Sequence, residues 1–226
     1  LQLAGDFTIT ASMPTIAFQV GMDIVAANGG NFTLTVESGA TLDLTGVNVG
    51  SGIAVVNNGT IVTENDLTFD GSFLNETGAT LTVNGEAGAA LDVTFAQDTV
   101  NRGTITLDET DNTTSTFFAI IMANGGTLTN EGTLQTANSG GNTIVEQGTA
   151  GTSFLLNGVL VNRGDFNVNH LFTLNVTGGG ANTHSNTGTI FIADGAVLTV
   201  KGADTLINQP GGIIRGDGDI DVSAGT

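Results

Sequence analysis

Three aspartates alternate near the end of the chain, Asp217, Asp219 and Asp221, with Ile220 and Val222 between and after them. A period of two puts the acids on one face of a strand and the apolar pair on the other. Like charges at that spacing repel unless screened, so a hard cation such as Ca²⁺ would bridge them. The stretch lacks the glycine turn and distal glutamate of a helix-loop-helix calcium site, and a solvated acidic edge is the competing reading. Arg-Gly-Asp, a triplet that serves cell attachment when exposed, occurs at 163–165 and 215–217. Arg102 precedes Gly-Thr in the same setting, so the triplet at 163 reads as a by-product of a repeat. His170 and His184 stand apart from other chemistry-bearing residues and are expected at turns or on the surface.

Enzymatic chemistry finds little to work with. A lyase needs a basic residue to take a proton, and a polyuronide substrate needs cationic partners. The basic residues are Arg102, Arg163, Lys201 and Arg215. Glycoside hydrolysis needs two carboxylates in different settings, and nothing local singles out a pair. The flat aromatics that grip sugar rings are missing, with no Trp and no Tyr, and the 12 Phe alternate with polar residues as interior fillers do. No catalytic residue and no cofactor other than calcium is assigned.

What would position any of these residues is a recurring corner. Val56-Asn57-Asn58-Gly59-Thr60-Ile61 is followed by Val100-Asn101-Arg102-Gly103-Thr104-Ile105, Thr129-Asn130-Glu131-Gly132-Thr133-Leu134 and Val161-Asn162-Arg163-Gly164-Asp165-Phe166. Ser185-Asn186-Thr187-Gly188-Thr189-Ile190 and Ile207-Asn208-Gln209-Pro210-Gly211-Gly212-Ile213 continue it, and Leu74-Asn75-Glu76-Thr77-Gly78 is a looser copy. The asparagines at 57, 75, 101, 130, 162, 186 and 208 lie on average about 25 residues apart, a period typical of stacked repeats. Asn and Gly reach positive φ cheaply, so each copy reads as a tight corner between strands. The last period shows three strands, Thr189 to Ile192, Ala196 to Val200 and Thr205 to Asn208, separated by turns at Asp194-Gly195 and Gly202-Ala203-Asp204. Glycine every six to nine residues would weaken any helix interior, and the period-two run from Ile16 to Ile24 favours a strand over a helix from Pro14 to Ala27.

The fold expected is all-β: a parallel β-helix with three short strands per coil, one solenoid over residues 1–226. About nine coils at a spacing near 4.8 Å make a rod on the order of 40 Å long. Residues 1–27 are an N-terminal strand region or cap. There Ile16, Phe18, Val20, Met22 and Ile24 alternate, with a bend at Gly21. Gly-Ala corners at 39–40, 78–79 and 195–196 let backbone layers approach. Polar excess at 108–116 and 139–142 leaves the stack as loops, where a partner could bind. The strand pattern runs almost to Thr226 without a cap, as in a processed chain, a segment of a longer polypeptide, or a subunit whose ends are covered by neighbours.

Composition narrows the function. Four Lys plus Arg against 22 Asp plus Glu give a net charge of −18 and a pI near 4.1. Such a surface repels phosphate backbones and anionic lipid, which argues against nucleic-acid partners and membrane docking. There is no Cys, and no apolar stretch of membrane-spanning length. A chain beginning at Leu1 fits removal of a leader and an extracellular or cell-surface location.

The Asn-X-Gly-Thr-Ile corners, the Gly-Ala-X-Leu-X-Val strands and the terminal Gly-X-Gly-Asp-Ile resemble repeats of secreted bacterial β-helix proteins, the haemagglutinin-like exoproteins and autotransporter passenger domains. The resemblance spans roughly residues 28–226. It implies a right-handed parallel β-helix exported across an outer membrane, acting as an adhesin or matrix component. It carries over no catalytic residue, because the shared positions are corners and core. The reading is a non-enzymatic structural or adhesive solenoid, forming a homo-oligomer or homopolymer with a cell-surface or glycan partner. The alternative is a carbohydrate-binding or polysaccharide-degrading β-helix. A third reading, surface binding of ice or mineral through rows such as Thr8/Thr10 and Thr33/Thr35, is disfavoured because those rows do not persist through successive coils.

Overall fold

The computed structural model describes residues 1–13, 15–18, 21–85, 90–110, 117–139, 153–177 and 180–224. They form a parallel β-helix with three faces. The first face has nine strands, from Phe7–Ile9 and Phe32–Val36 through Thr99–Asn101 to Thr205–Asn208. The second also has nine, from Thr15–Ala17 to Ile213–Gly216, and the third has seven, from Leu67–Phe69 to Asp219–Ala224. Single bridges from Ile24 to Val49 and from Val49 to Phe69 carry the third face two coils further toward the N-terminus. Neighbouring strands come from successive coils and pair in parallel. Coils are numbered here one to nine by their first-face strands.

Alternation along each strand decides what the winding buries. On the third face Leu67, Val93, Ile120, Leu156, Leu174, Val200 and Val222 stand in one register column. On the second face Leu42, Ile61, Leu81, Ile105, Leu134, Phe166, Ile190 and Ile214 do the same. All but the last member of each column are fully or almost fully buried. Each buried aliphatic chain contributes about 1.5–3 kcal/mol, and stacking like on like leaves few voids. Phe118 and Phe154 extend the same logic to rings, parallel-stacked at 5.0 Å.

The first 27 residues join this scheme only partly as expected. Phe7–Ile9 and Thr15–Ala17 belong to the main faces, so the region includes the first coil rather than a separate unit. The alternating run is broken: a strand covers Thr15–Ala17, the chain bends at Gly21 with φ 83°, and Ile24 is buried while Met22 is exposed. Val20 lies outside the described residues. Among the described residues the helical segments are two three-residue 3₁₀ turns, Ala27–Gly29 and Ala123–Gly125. In each the asparagine is left-handed, Asn28 at φ 52° and Asn124 at φ 56°.

The core ends abruptly. In coil nine Ile220 lies over Leu198 and Val222 over Val200, and they are 44% and 68% exposed.

Candidate functional site

The corner between the first and second faces is the most built part of the molecule. Its asparagines close the first-face strands with their side chains turned inward, where neighbouring positions hold hydrocarbon. Nδ2 of Asn57 donates to Oδ1 of Asn75 at 2.8 Å, and Asn75, Asn101, Asn130, Asn162 and Asn186 each donate to the next asparagine at 2.7 Å. The second amide hydrogen goes to a carbonyl of the following coil, those of Thr80, Thr104, Thr133, Asp165, Thr189 and Ile213, at 2.9–3.2 Å. Buried amides need such partners, and each rung therefore ties two coils together twice. The column starts at Asn57 because the preceding coil holds Val36 there, and Oδ1 of Asn57 accepts the Gly59 N–H instead.

This overturns the backbone reason for five of the seven corners while keeping their place; Gly78 and Gly211 of the other two do have positive φ, 85° and 91°. None of the ladder asparagines has positive φ. The glycine after them is required by proximity: a Cβ on Gly132 would lie 2.1 Å from the Gly103 carbonyl oxygen, and one on Gly164 equally close to that of Gly132. The Gly-Ala corners reverse the argument. Gly78 and Gly195 have open space around them and are needed for φ of 85° and 74°, while Ala79 and Ala196 are the buried small residues.

Outside the same corner runs a column of charge. Arg102 meets Glu76 at 3.3 Å and Glu131 at 3.2 Å, and Arg163 meets Glu131 at 3.1 Å. The Arg102 guanidinium, followed by that of Arg163, holds the Glu131 carboxyl below the usual range, and the two glutamates raise Arg102 in turn. Arg163 of the first Arg-Gly-Asp triplet is thus engaged within the rod. Arg215 of the second lies over the Phe191 ring at 5.7 Å, with Gly216 at φ 124°.

The acidic trio is spread along the last coil. Asp217 is exposed in the turn after Ile213–Gly216, Asp219 faces outward over Val197, and Asp221 outward over Thr199. Among the described residues no group of three or more His, Asp or Glu converges to hold a metal ion. In the two polar excess segments, residues 111–116 and 140–142 lie outside the described residues; Asp108 accepts the Ser139 N–H at 2.8 Å.

Both histidines are buried, contrary to expectation. His184 occupies an inner position of Thr183–Asn186, where its Nδ1 accepts the Leu160 N–H at 3.1 Å. That leaves the proton on Nε2, 3.6 Å from Oδ2 of Asp204. Asp204 also accepts N–H bonds from Val176 and Asn182 at 2.8 and 3.0 Å. Burial pushes the His184 pKa down against the pull of Asp204; burial pushes Asp204 up, but its backbone and Asn182 hydrogen bonds leave it below the usual range. His170 stacks on Phe154 at 5.8 Å and is likewise lowered by burial. Counting back two residues from each ladder asparagine gives an inner position, so the sequence contained the signal that places His184 inside.

One further pair escaped sequence reading. Burial, and secondly the neighbouring Asp66 charge, raise the Asp92 pKa, while Asp66 accepts the Asp92 N–H at 2.9 Å. A hollow of about 440 Å³ beside Asn124 is lined by Met122, Asn157, Val176 and Asn182 among others, with no ionisable side chain among the described residues of its wall. A threonine row does persist along the rod, but on the second face, through Thr15, Thr41, Thr60, Thr80, Thr104 and Thr133. Comparison of the chain with protein-family models, curated proteins and solved structures finds no match in any of the three. The class that fold and corner define is the parallel β-helix.

Proposed function

We propose that this chain is a non-enzymatic, extracellular structural or adhesive rod of the kind the secreted bacterial β-helix proteins provide. The observation that carries the reading is the buried asparagine column, which uses fully buried polar side chains to link successive coils along the axis. Interior amides used this way stiffen the long direction and build no cleft. The charge column and the stacked hydrocarbon do the same. Strong net negative charge keeps such a rod soluble, and divalent ions act as counter-ions to acids such as Asp219 and Asp221.

In this reading the rod joins end to end with further copies of itself. Such a junction would set Leu206, Ile214, Ile220 and Val222 of one copy against Phe7, Ile16 and Phe18 of the next, all incompletely covered within one chain. Asn208 would then face Ile9, the reverse of the aliphatic-to-asparagine step between Val36 and Asn57. Electron micrographs of the purified chain test this: strings of rods are expected, and isolated short particles at every concentration would overturn it.

A second reading, cleavage of a glycan, has one observation in its favour, the raised Asp92 beside Asp66. A panel of neutral and acidic polysaccharides decides it. Release of sugar ends that disappears in Asp92→Asn would replace the structural reading.

A further inference from the structure

We propose that two copies of this rod pair side by side, antiparallel, through the outer surface of the first face. This goes beyond the end-to-end reading and uses none of the residues at the rod's tips. Its starting point is the order of charges on the first corner, Glu76, Arg102, Glu131, Arg163, in four successive coils. Read backwards, that order is Arg, Glu, Arg, Glu, its own complement. A two-fold axis crossing the rod between coils five and six therefore sets Glu76 against Arg163 and Arg102 against Glu131 of the second copy, twice over. The column continues by backbone register to Glu37 and Asn58 on one side and Thr187 and Gln209 on the other. The same axis sets Asn58 against Thr187 and Glu37 against Gln209, so no like charges meet anywhere along it.

The outward column of the first face next to this charge column is largely apolar where the fold does not require it, while the one beyond it, with Thr33, Asp98, Thr127 and Thr205, is mostly polar. Outward positions of the first face read Thr35, Val56, Leu74, Val100, Thr129, Val161, Ser185 and Ile207 in register. The corresponding outward column of the second face reads Thr41, Thr60, Thr80, Thr104, Thr133, Asp165 and Thr189. Strand propensity favours Val and Thr alike, so it does not explain why one of these two columns flanking the corner is largely hydrocarbon and the other largely hydroxyl. Under the proposed axis Leu74 meets Val161 and Val100 meets Thr129, at the centre of the contact. Six coils at about 4.8 Å, one strand wide, bury on the order of 1,000 Å² from both copies together, the lower bound for a specific complex. The pair is thus weak and concentration-dependent. Two rods of charge −18 repel at long range, but at physiological salt that field fades within about 8 Å while the facing pairs act at contact.

The experiment inverts the column in one variant carrying Glu76→Arg, Arg102→Glu, Glu131→Arg and Arg163→Glu. Every opposite-charge contact within the chain is retained, so the fold is expected to survive, and circular dichroism checks it. Sedimentation equilibrium should show dimers for the wild type and for the inverted variant alike. Mixed, the two should not pair, because each charge would face its like. Native mass spectrometry of the mixture is expected to show the mixed dimer depleted at least about tenfold below its statistical share. Val100→Asp with Val161→Asp, both on the solvent side, should leave a folded monomer. Monomeric wild type at all concentrations, statistical mixing, or an undiminished dimer in the double aspartate variant would each overturn lateral pairing. End-to-end growth is scored separately, as particles that lengthen without widening.

Discussion

Asn130→Ala should be among the most damaging single truncations in the rod, and its cost can be worked from the ladder. Asn130 accepts from Asn101 at 2.7 Å, donates to Asn162 at 2.7 Å and donates to the Asp165 carbonyl at 2.9 Å. Truncation leaves one amide hydrogen of Asn101 and the side-chain oxygen of Asn162 without partners in a site closed to water. Each orphaned buried group costs about 1–3 kcal/mol, so the expected loss is about 3–5 kcal/mol once the small cavity is added. Asn208→Ala removes one partner of Asn186 at the exposed last coil, where water replaces it, and should cost under about 1 kcal/mol. The pair Asn101→Ala and Asn130→Ala gives a sharper test. Singly they orphan four side-chain groups between them; together they orphan two, because the bond they share vanishes once. The double variant should fall short of the sum by about 2 kcal/mol or more. With no Trp or Tyr to report by fluorescence, urea unfolding is followed by far-ultraviolet circular dichroism. A mid-stack rung is chosen because end coils of a repeat can fray independently. Additive single effects, or an Asn130→Ala loss within about 1 kcal/mol of that for Asn208→Ala, would refute the ladder as a source of axial cohesion.

Glycine substitutions should separate the two kinds of corner. Gly132→Ala drives a Cβ into the Gly103 carbonyl and should abolish folding or collapse the melting temperature. Gly195→Ala, with space around it but φ of 74°, should cost about 1–2 kcal/mol. Acid should weaken the rod through its histidines. The folded pKa of His184 and of His170 lies below the unfolded value, so stability is fully present above about pH 6.5 and is lost as pH falls toward the folded pKa. Asp204, also lowered, adds a further loss at more acidic pH, below the ordinary carboxylate range. His184→Gln should flatten the dependence between neutral and mildly acidic pH, and an unchanged slope in melting temperature against pH would count against it. Calcium should raise the melting temperature no more than magnesium at equal concentration; a calcium-selective rise lost in Asp219→Asn with Asp221→Asn would establish a site there.

How much of this could be read in the chain depends on whether a residue answers to its own neighbours or to those one coil away. The inner wall was legible because strand alternation is local: Ile190 and Ile192 betray their face within four residues, and the last two strands of coil eight and the first of coil nine emerge close to their observed bounds, Thr189–Ile192, Val197–Gly202 and Thr205–Asn208. The recurrence of Asn and Gly gave the period. Their reasons were hidden, because both residues answer to the coil next door. Asn101 meets Asn130 across 29 residues, and Gly132 is small on account of a carbonyl at Gly103. A local rule, that these residues favour positive φ, explained Gly78 and Gly211 but not the ladder asparagines or the glycines at 59, 103, 132, 164 and 188.

The same distance explains the histidines and the charges. His184 looks isolated in sequence, yet it bonds Leu160 in the coil before and approaches Asp204 in the coil after. Glu76, Arg102, Glu131 and Arg163 are 26, 29 and 32 residues apart, spacings so unequal that no charge pattern stands out along the chain. Aligning the coils on their asparagines removes that inequality, since each of the four charges follows its ladder asparagine directly. A sequence of this kind therefore discloses its contacts only after it is wound, and its ladder residue is the index for winding it. Applied to inner positions, that index places His184 in the core; applied to the corner, it yields the alternating column whose reverse reading is its own complement.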